Sequence, residues 1–179
     1  MKVKRNLLAL VALISLSTIG SLSVTSVNPV QAKSARAVFP KKMRGTWYQF
    51  DKDANRIKKW TITKNKEIFY NKGKKSYLYL HAKPKYIPAV VKTTKKTKNW
   101  TYLEPVMRVR GRKWVTQYGW DQTAGAGAHY NVSKLKGHWV LTDAGGAGFW
   151  YSSHWYRSPK LAKKFKNRHY KGFAYDNIW

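Results

Sequence analysis

Along most of the chain apolar and polar side chains alternate one for one, and turn residues interrupt the alternation roughly every ten positions. In 57–63, Trp60 and Ile62 fall on one face and Lys59 and Thr61 on the other. In 113–120, Trp114, Thr116, Tyr118 and Trp120 share a face. A period of two means extended chain, because successive side chains of a strand point to opposite sides. The same reading predicts strands over 44–50, 66–70, 76–81, 100–103, 106–110, 127–132, 137–142 and 148–157. Asn71-Lys72-Gly73 separates two of them as a turn. A further strand over 86–91 carries Pro88, which suits an edge or a bulge, since proline cannot donate to a ladder.

Only one helix is expected. Ser158 is an N-cap with Pro159 at the first helical position, and Leu161, Ala162 and Phe165 form a narrow apolar stripe. The stripe is too small for a membrane-surface helix and suits a cap on one end of a sheet or barrel. The expected fold class is therefore all-β: a single antiparallel β-barrel or strongly curved sheet with a short C-terminal helix. Aromatic residues, 15% of the chain, suit such pleated surfaces.

The N-terminus departs from this pattern. Lys2, Lys4 and Arg5 precede the apolar run Leu7 to Ile14, and Val30-Gln31-Ala32 has the small-x-small form of a cleavage site. These are the three parts of a secretory signal peptide. The organisation read from the chain is a signal peptide over 1–32, a flexible basic segment over 33–42, the β domain over 43–158, and a short helix and tail over 159–179. With no cysteine, neither a lipid anchor at the cleavage site nor a disulfide is available, and packing alone must hold the fold.

Charge bears on what the exported protein meets. The leader holds three of the 36 Lys+Arg and none of the seven Asp+Glu, so the remainder carries 33 cations against seven acids, a formal charge of +26. Such a field attracts polyanions and is screened by salt. Two clusters are the candidate polyanion contacts: Lys92, Lys95, Lys96 and Lys98 in a threonine-lysine run, and Lys160, Lys163, Lys164, Lys166 and Arg168 near the end. The expected partner is an anionic cell-wall polymer or anionic lipid surface, with nucleic acid bound only nonspecifically. The expected location is extracellular, at the cell surface.

Catalytic signals are sparse, and no catalytic residue, metal ligand or cofactor is assigned. Asp51-Lys52-Asp53-Ala54-Asn55 copies the first ligand positions of a calcium loop, but Arg56 and Ile62 stand where glycine and glutamate are needed, so an acidic hairpin turn is expected. His138 and His154 flank Trp139 and Trp155 on neighbouring strands, and with Asp143 they are the one constellation available to a hydrolase. The glycine-alanine stretches 123–130 and 142–151 resemble each other. Strands rather than helices follow them, which rules out a phosphate-cradling loop.

Gly45-Thr46-Trp47 on the first strand resembles the G-x-W of lipocalin-like barrels. The resemblance implies a barrel whose end is closed by Trp47 beneath Arg157, with Gly45, Trp47 and Arg157 in structural roles, and a carrier of a small apolar ligand. Thr142-Asp143 matches the start of that family's T-D-Y motif, while Ala144 replaces its tyrosine. Phe39-Pro40-Lys41-Lys42-Met43-Arg44-Gly45-Thr46-Trp47-Tyr48 and the lysine- and tyrosine-rich C-terminus resemble small cationic secreted proteins of lactic acid bacteria. That likeness implies a Gram-positive extracellular setting and no established activity. The leading expectation is noncatalytic binding at the envelope; the apolar-ligand carrier comes second and an extracellular hydrolase third.

Overall fold

The computed structural model describes residues 37–84, 94–122, 124–166 and 168–175. The signal peptide, the strand expected over 86–91 and Lys92 lie outside them. Ten strands follow in chain order: β1 (Gly45–Asp51), β2 (Arg56–Ile62), β3 (Lys66–Asn71), β4 (Lys74–Leu80), β5 (Trp100–Leu103), β6 (Met107–Val109), β7 (Arg112–Gly119), β8 (Ala128–Leu135), β9 (His138–Gly145) and β10 (Tyr151–Tyr156). One helix, α1 (Pro159–Phe165), comes last.

Nine of the strands close a barrel in the order β5-β4-β3-β2-β1-β10-β9-β8-β7, and β5 pairs with β7 to complete the ring. Among the described residues β6 pairs with β7 alone, beside the part of β7 that does not pair with β5, and is not one of the nine ring strands. Every pairing is antiparallel except β4 with β5, where Tyr79 meets Trp100 and Leu80 meets Thr101 in parallel. Closure removes the free sheet edges that an all-β chain must otherwise protect.

The turns match their residues. The β1–β2 hairpin is the expected acidic turn: Asp51 Oδ1 accepts from the Ala54 amide at 3.1 Å, and Asn55 takes the left-handed φ of 45°. Ser158 caps α1 by accepting from the Leu161 amide at 3.3 Å, with Pro159 following it. Ala162 turns its buried side to Val140 and Tyr156 on the barrel wall.

The barrel interior is filled from one end. Phe39, Met43, Trp47, Ile62, Leu80 and Leu141 are buried there in one cluster. The segment expected to be flexible over 33–42 is therefore a packed plug in its described part. Phe39 is fully buried and its amide donates to the Lys64 carbonyl at 2.8 Å. An aromatic residue beside Pro40 contributes more when buried than the flanking lysines gain from a loose chain, because burying a large apolar side chain is worth about 1.5–3 kcal/mol.

The outer face of β7–β10 is also covered. Trp114 and Thr116 do share a face, as expected, but Val115 and Gln117 point into the barrel. Trp114 packs outside the ring, edge-on to Phe149 at 4.8 Å and Phe173 at 6.0 Å. Arg112 holds the C-terminal segment in place, its guanidinium 4.1 Å from the Phe173 ring and one nitrogen donating to the Lys171 carbonyl at 3.2 Å.

Candidate binding site at the barrel mouth

Gly45, Trp47 and Arg157 come together at the filled end. The Arg157 guanidinium carbon lies 3.5 Å from the Trp47 ring centroid. Its two terminal nitrogens donate to the carbonyls of Arg44, at 2.9 Å, and Lys42, at 3.0 Å. Trp47 is fully buried, and its indole N–H donates to the Met43 carbonyl at 2.6 Å. Gly45 has φ +114°, and a Cβ there would run into an Arg157 nitrogen. The three residues lock the N-terminal plug onto the last strand; they are architecture.

The opposite end, where β1 turns into β2, β3 into β4, β7 into β8 and β9 into β10, is open. Trp60 divides the two halves at mid-height. It stacks on Phe69 at 5.2 Å and meets Tyr130 and Trp155 at tilted angles, each at 5.3 Å. Above this floor lie two clefts. One, of about 500 Å³, reaches Phe69 and Trp155 between β1–β4 and β9–β10. The other, of about 430 Å³, reaches Gln117 and Tyr130 beneath the glycine-alanine stretch 124–128. There Gly127 has φ +71°, and a Cβ would press on the Gln117 carbonyl, so small residues keep this opening.

Buried polar groups surround the floor. Glu67 is fully buried; its Oε2 accepts from Gln117 Nε2 at 2.5 Å, and the same amide donates to Thr101 Oγ1 at 2.9 Å. Glu67 Oε1 and Gln117 Oε1 are buried without a close hydrogen-bond partner, and the buried indoles of Trp60 and Trp155 are turned toward the Glu67 and Asp143 carboxyls with poor hydrogen-bond geometry. Burial raises the Glu67 pKa to about 7, against the opposing pull of the Gln117 amide and the facing Trp60 indole. Asp143 is raised as well, first by burial, with Trp155, Ser153 and Lys58 pulling the other way. Trp155 lines the first cleft and Gln117 the second, and a buried acceptor left unpaired, as Gln117 Oε1 is, is uncommon in native folds.

At the rim, Asp51 Oδ2 holds two cations, Lys58 at 3.1 Å and Arg56 at 3.8 Å. Hydrogen bonding from the Ala54 amide, then from Lys58, lowers the Asp51 pKa.

The histidines and Asp143 do not assemble. Asp143 pairs with Ser153 and faces the interior, whereas His154 pairs with Thr142 on the outer face. His154 Nδ1 lies 2.9 Å from Thr142 Oγ1 and Nε2 lies 2.6 Å from the Tyr175 hydroxyl. Burial, with help from His169 and Arg112, depresses its pKa to about 4. His138 sits instead against Phe165 of α1, ring centres 5.5 Å apart. His129, also buried, stacks on Phe149 at 4.0 Å with Nδ1 2.9 Å from Thr116 Oγ1. Among the described residues no group of three or more His, Asp or Glu is placed to hold a metal ion.

The candidate polyanion residues divide into two places. Lys95, Lys96 and Lys98 are exposed on the turn before β5, which Thr94 and Thr97 tie together through their hydroxyls at 3.0 Å. Lys160, Lys163, Lys164, Lys166 and Arg168 are exposed on and just after α1. The sequence reading missed Glu67, Gln117 and the aromatic floor. The one signal for Glu67 was an acid in an otherwise cationic chain, at a position whose neighbours alternate toward Phe69.

Comparison of the chain with protein-family models, with curated proteins and with solved structures finds no match in any of the three.

Proposed function

We propose that this chain is a noncatalytic, secreted binding protein that is held by charge on an anionic polymer of a Gram-positive cell envelope. The observation that carries the reading is the lack of internal acidic partners for its cations. Among the described residues, ion pairs engage only Arg56, Lys58 and Lys83, through Asp51 and Glu104. Glu67 and Asp143 face the barrel interior, and neither makes an ion pair among the described residues. Beyond the leader, 33 Lys+Arg stand against seven Asp+Glu. Counter-charge must come from a partner, and a polymer with many acidic groups can engage separated lysine clusters at once.

The test is retention on purified wall fragments, with and without their anionic polymer, under rising salt. Binding should require the polymer and fall as the Debye length shrinks from about 10 Å at 0.1 M to about 3 Å at 1 M. Retention through a molar wash, or equal retention on stripped walls, would overturn the reading.

A carrier of a small apolar ligand is the second reading. One observation favours it: a cleft of about 470 Å³ lined by Val38, Pro40, Leu80, Leu103, Val106 and Val115. Saturable uptake of a fluorescent fatty acid, lost when Val115 becomes Asp, is the result that would promote it.

A further inference from the structure

The cleft at the barrel mouth has a composition that neither a bare polyanion contact nor an apolar carrier requires. Its inner wall is aromatic, from Phe69 and Trp155, with Tyr151 higher up. Its rim brings two cations to one side, Arg56 and Lys58. Between them stand short side chains with hydrogen-bonding ends, Gln49, Asn71, Ser76 and Ser153, beside the Asp143 carboxyl. Trp155 is 7% exposed, and its indole N–H, which is turned toward the Asp143 carboxyl, belongs to the wall of this cleft.

These groups define a ligand by its chemistry. A flat apolar face is needed against Phe69 and Trp155. Several hydroxyls are needed around its edge, because amides, hydroxyls and a carboxyl can each exchange a hydrogen bond with one. An acidic group is needed at the rim, where Arg56 and Lys58 share the one carboxylate of Asp51. A saccharide ring has an apolar C–H face and a hydroxylated edge, and a phosphate or carboxylate on it supplies the acid. The volume of about 500 Å³ is in the range of small-molecule clefts, roughly 300–1,000 Å³.

We propose that the barrel mouth binds one anionic saccharide unit, its ring on Phe69 and Trp155 and its acidic group on Arg56 and Lys58. The site is asymmetric. Asp51 keeps Arg56 and Lys58 together at the rim before any ligand arrives, so little side-chain ordering is left to the binding event. Lys59 is held separately, its Nζ 4.5 Å from the centre of the Tyr70 ring. A nucleic-acid strand fits less well, since a base offers a planar heterocycle with few hydroxyls to so many short polar groups.

This proposal deepens the polymer-binding reading and rests on it: the mouth would read a sugar unit of the polymer that the lysine clusters attract. The test follows the indole N–H resonance of Trp155 in the labelled full chain, assigned by loss in Trp155→Phe. The probes are a hexose 6-phosphate, the uncharged hexose, inorganic phosphate and a short single-stranded oligonucleotide. The hexose phosphate should shift that resonance saturably and bind at least tenfold more tightly than hexose or phosphate alone. Lys58→Gln and Ser153→Ala should each weaken it severalfold with the rest of the spectrum unchanged. Replacing Lys95, Lys96 and Lys98 with glutamine should weaken retention on walls and leave the hexose phosphate affinity unchanged. If no hexose phosphate, or a hexuronate tried in its place, moves Trp155 while walls still retain the protein, the site proposal fails and the polymer reading stands. Equal shifts with phosphate alone, or a tighter response to the oligonucleotide, overturn it too.

Discussion

Inside the barrel the Gln117 amide donates to the Glu67 carboxyl at 2.5 Å while Trp60, the ring that divides the interior, faces the same carboxyl. A fully buried acid with this little support holds its proton more tightly than it would in the unfolded chain. Its pKa of about 7 folded, against an ordinary 4.5, means the native state binds more protons between those values. Stability from Glu67 is fully present below about pH 4.5 and is lost as pH rises through about 7. At about 1.36 kcal/mol per pKa unit the loss is on the order of 3 kcal/mol. Glu67→Gln should therefore be more stable than the parent at pH 8 and close to it at pH 4, measured by denaturant unfolding at each pH.

His154 works in the opposite direction. Its folded pKa of about 4, against an ordinary 6.5, means the unfolded chain binds the proton first. Stability from the neutral ring is present above about 6.5 and is lost as pH falls through about 4. The loss is again on the order of 3 kcal/mol. Between about 4.5 and 6.5 the slopes from Glu67 and His154 oppose each other. The parent should show a shallow pH profile there, Glu67→Gln a profile that rises with pH, and His154→Gln one that falls. Identical profiles for parent and both variants would mean that neither group titrates on unfolding.

Much of the barrel was legible in the sequence, and the reasons are local. Alternation in 57–63 places Trp60 and Ile62 inward, and both are buried. Ser158-Pro159 starts a helix wherever it stands before a short apolar stripe, and α1 begins there. What escaped was set by tertiary placement. Alternation says that Trp114 and Val115 face opposite ways, but not that Phe149 and Phe173 cover the outer face, where Trp114 is buried. Burial of His129 and His154 by segments distant in sequence is likewise not written in the alternation. Glu67 looks like one more polar strand position between Lys66 and Ile68; only ring closure brings it against Gln117, fifty residues away. The parallel pairing of β4 with β5 depends on the 81–99 connection, whose composition carries no register signal.

The plug at the filled end gives a graded series. Trp47→Ala removes a fully buried indole and its hydrogen bond to Met43 and should cost about 3–5 kcal/mol. Arg157→Ala removes a cation–π contact, worth about 0.5–2 kcal/mol, together with two hydrogen bonds to the plug. Arg157→Lys should recover only part of that loss, since an ammonium cannot both stack on the indole and reach two carbonyls as a planar fork does. Gly45→Ala should be harmful although it adds one methyl, because φ +114° disfavours any side chain and the Cβ meets Arg157. Thermal melts of the four variants should rank them in this way, with binding to walls unchanged in every variant that stays folded. A loss of wall binding in folded Arg157→Ala would give the arginine a role outside the plug.

The two lysine clusters can be separated by salt dependence. Lys95, Lys96 and Lys98 stand on a turn that buries no large apolar side chain, and the α1 cluster surrounds the buried Ala162 without replacing it. Changing either set to glutamine should leave the melting temperature within a few degrees of the parent. If both sets meet the polymer, each variant should bind more weakly and show a shallower fall of affinity with salt, because fewer counterions are released per complex. The combined variant should then lose more than either alone. If glutamine at Lys95, Lys96 and Lys98 changes neither affinity nor slope while the α1 set abolishes both, the polymer tracks along the helix and the 94–100 turn only connects β4 to β5.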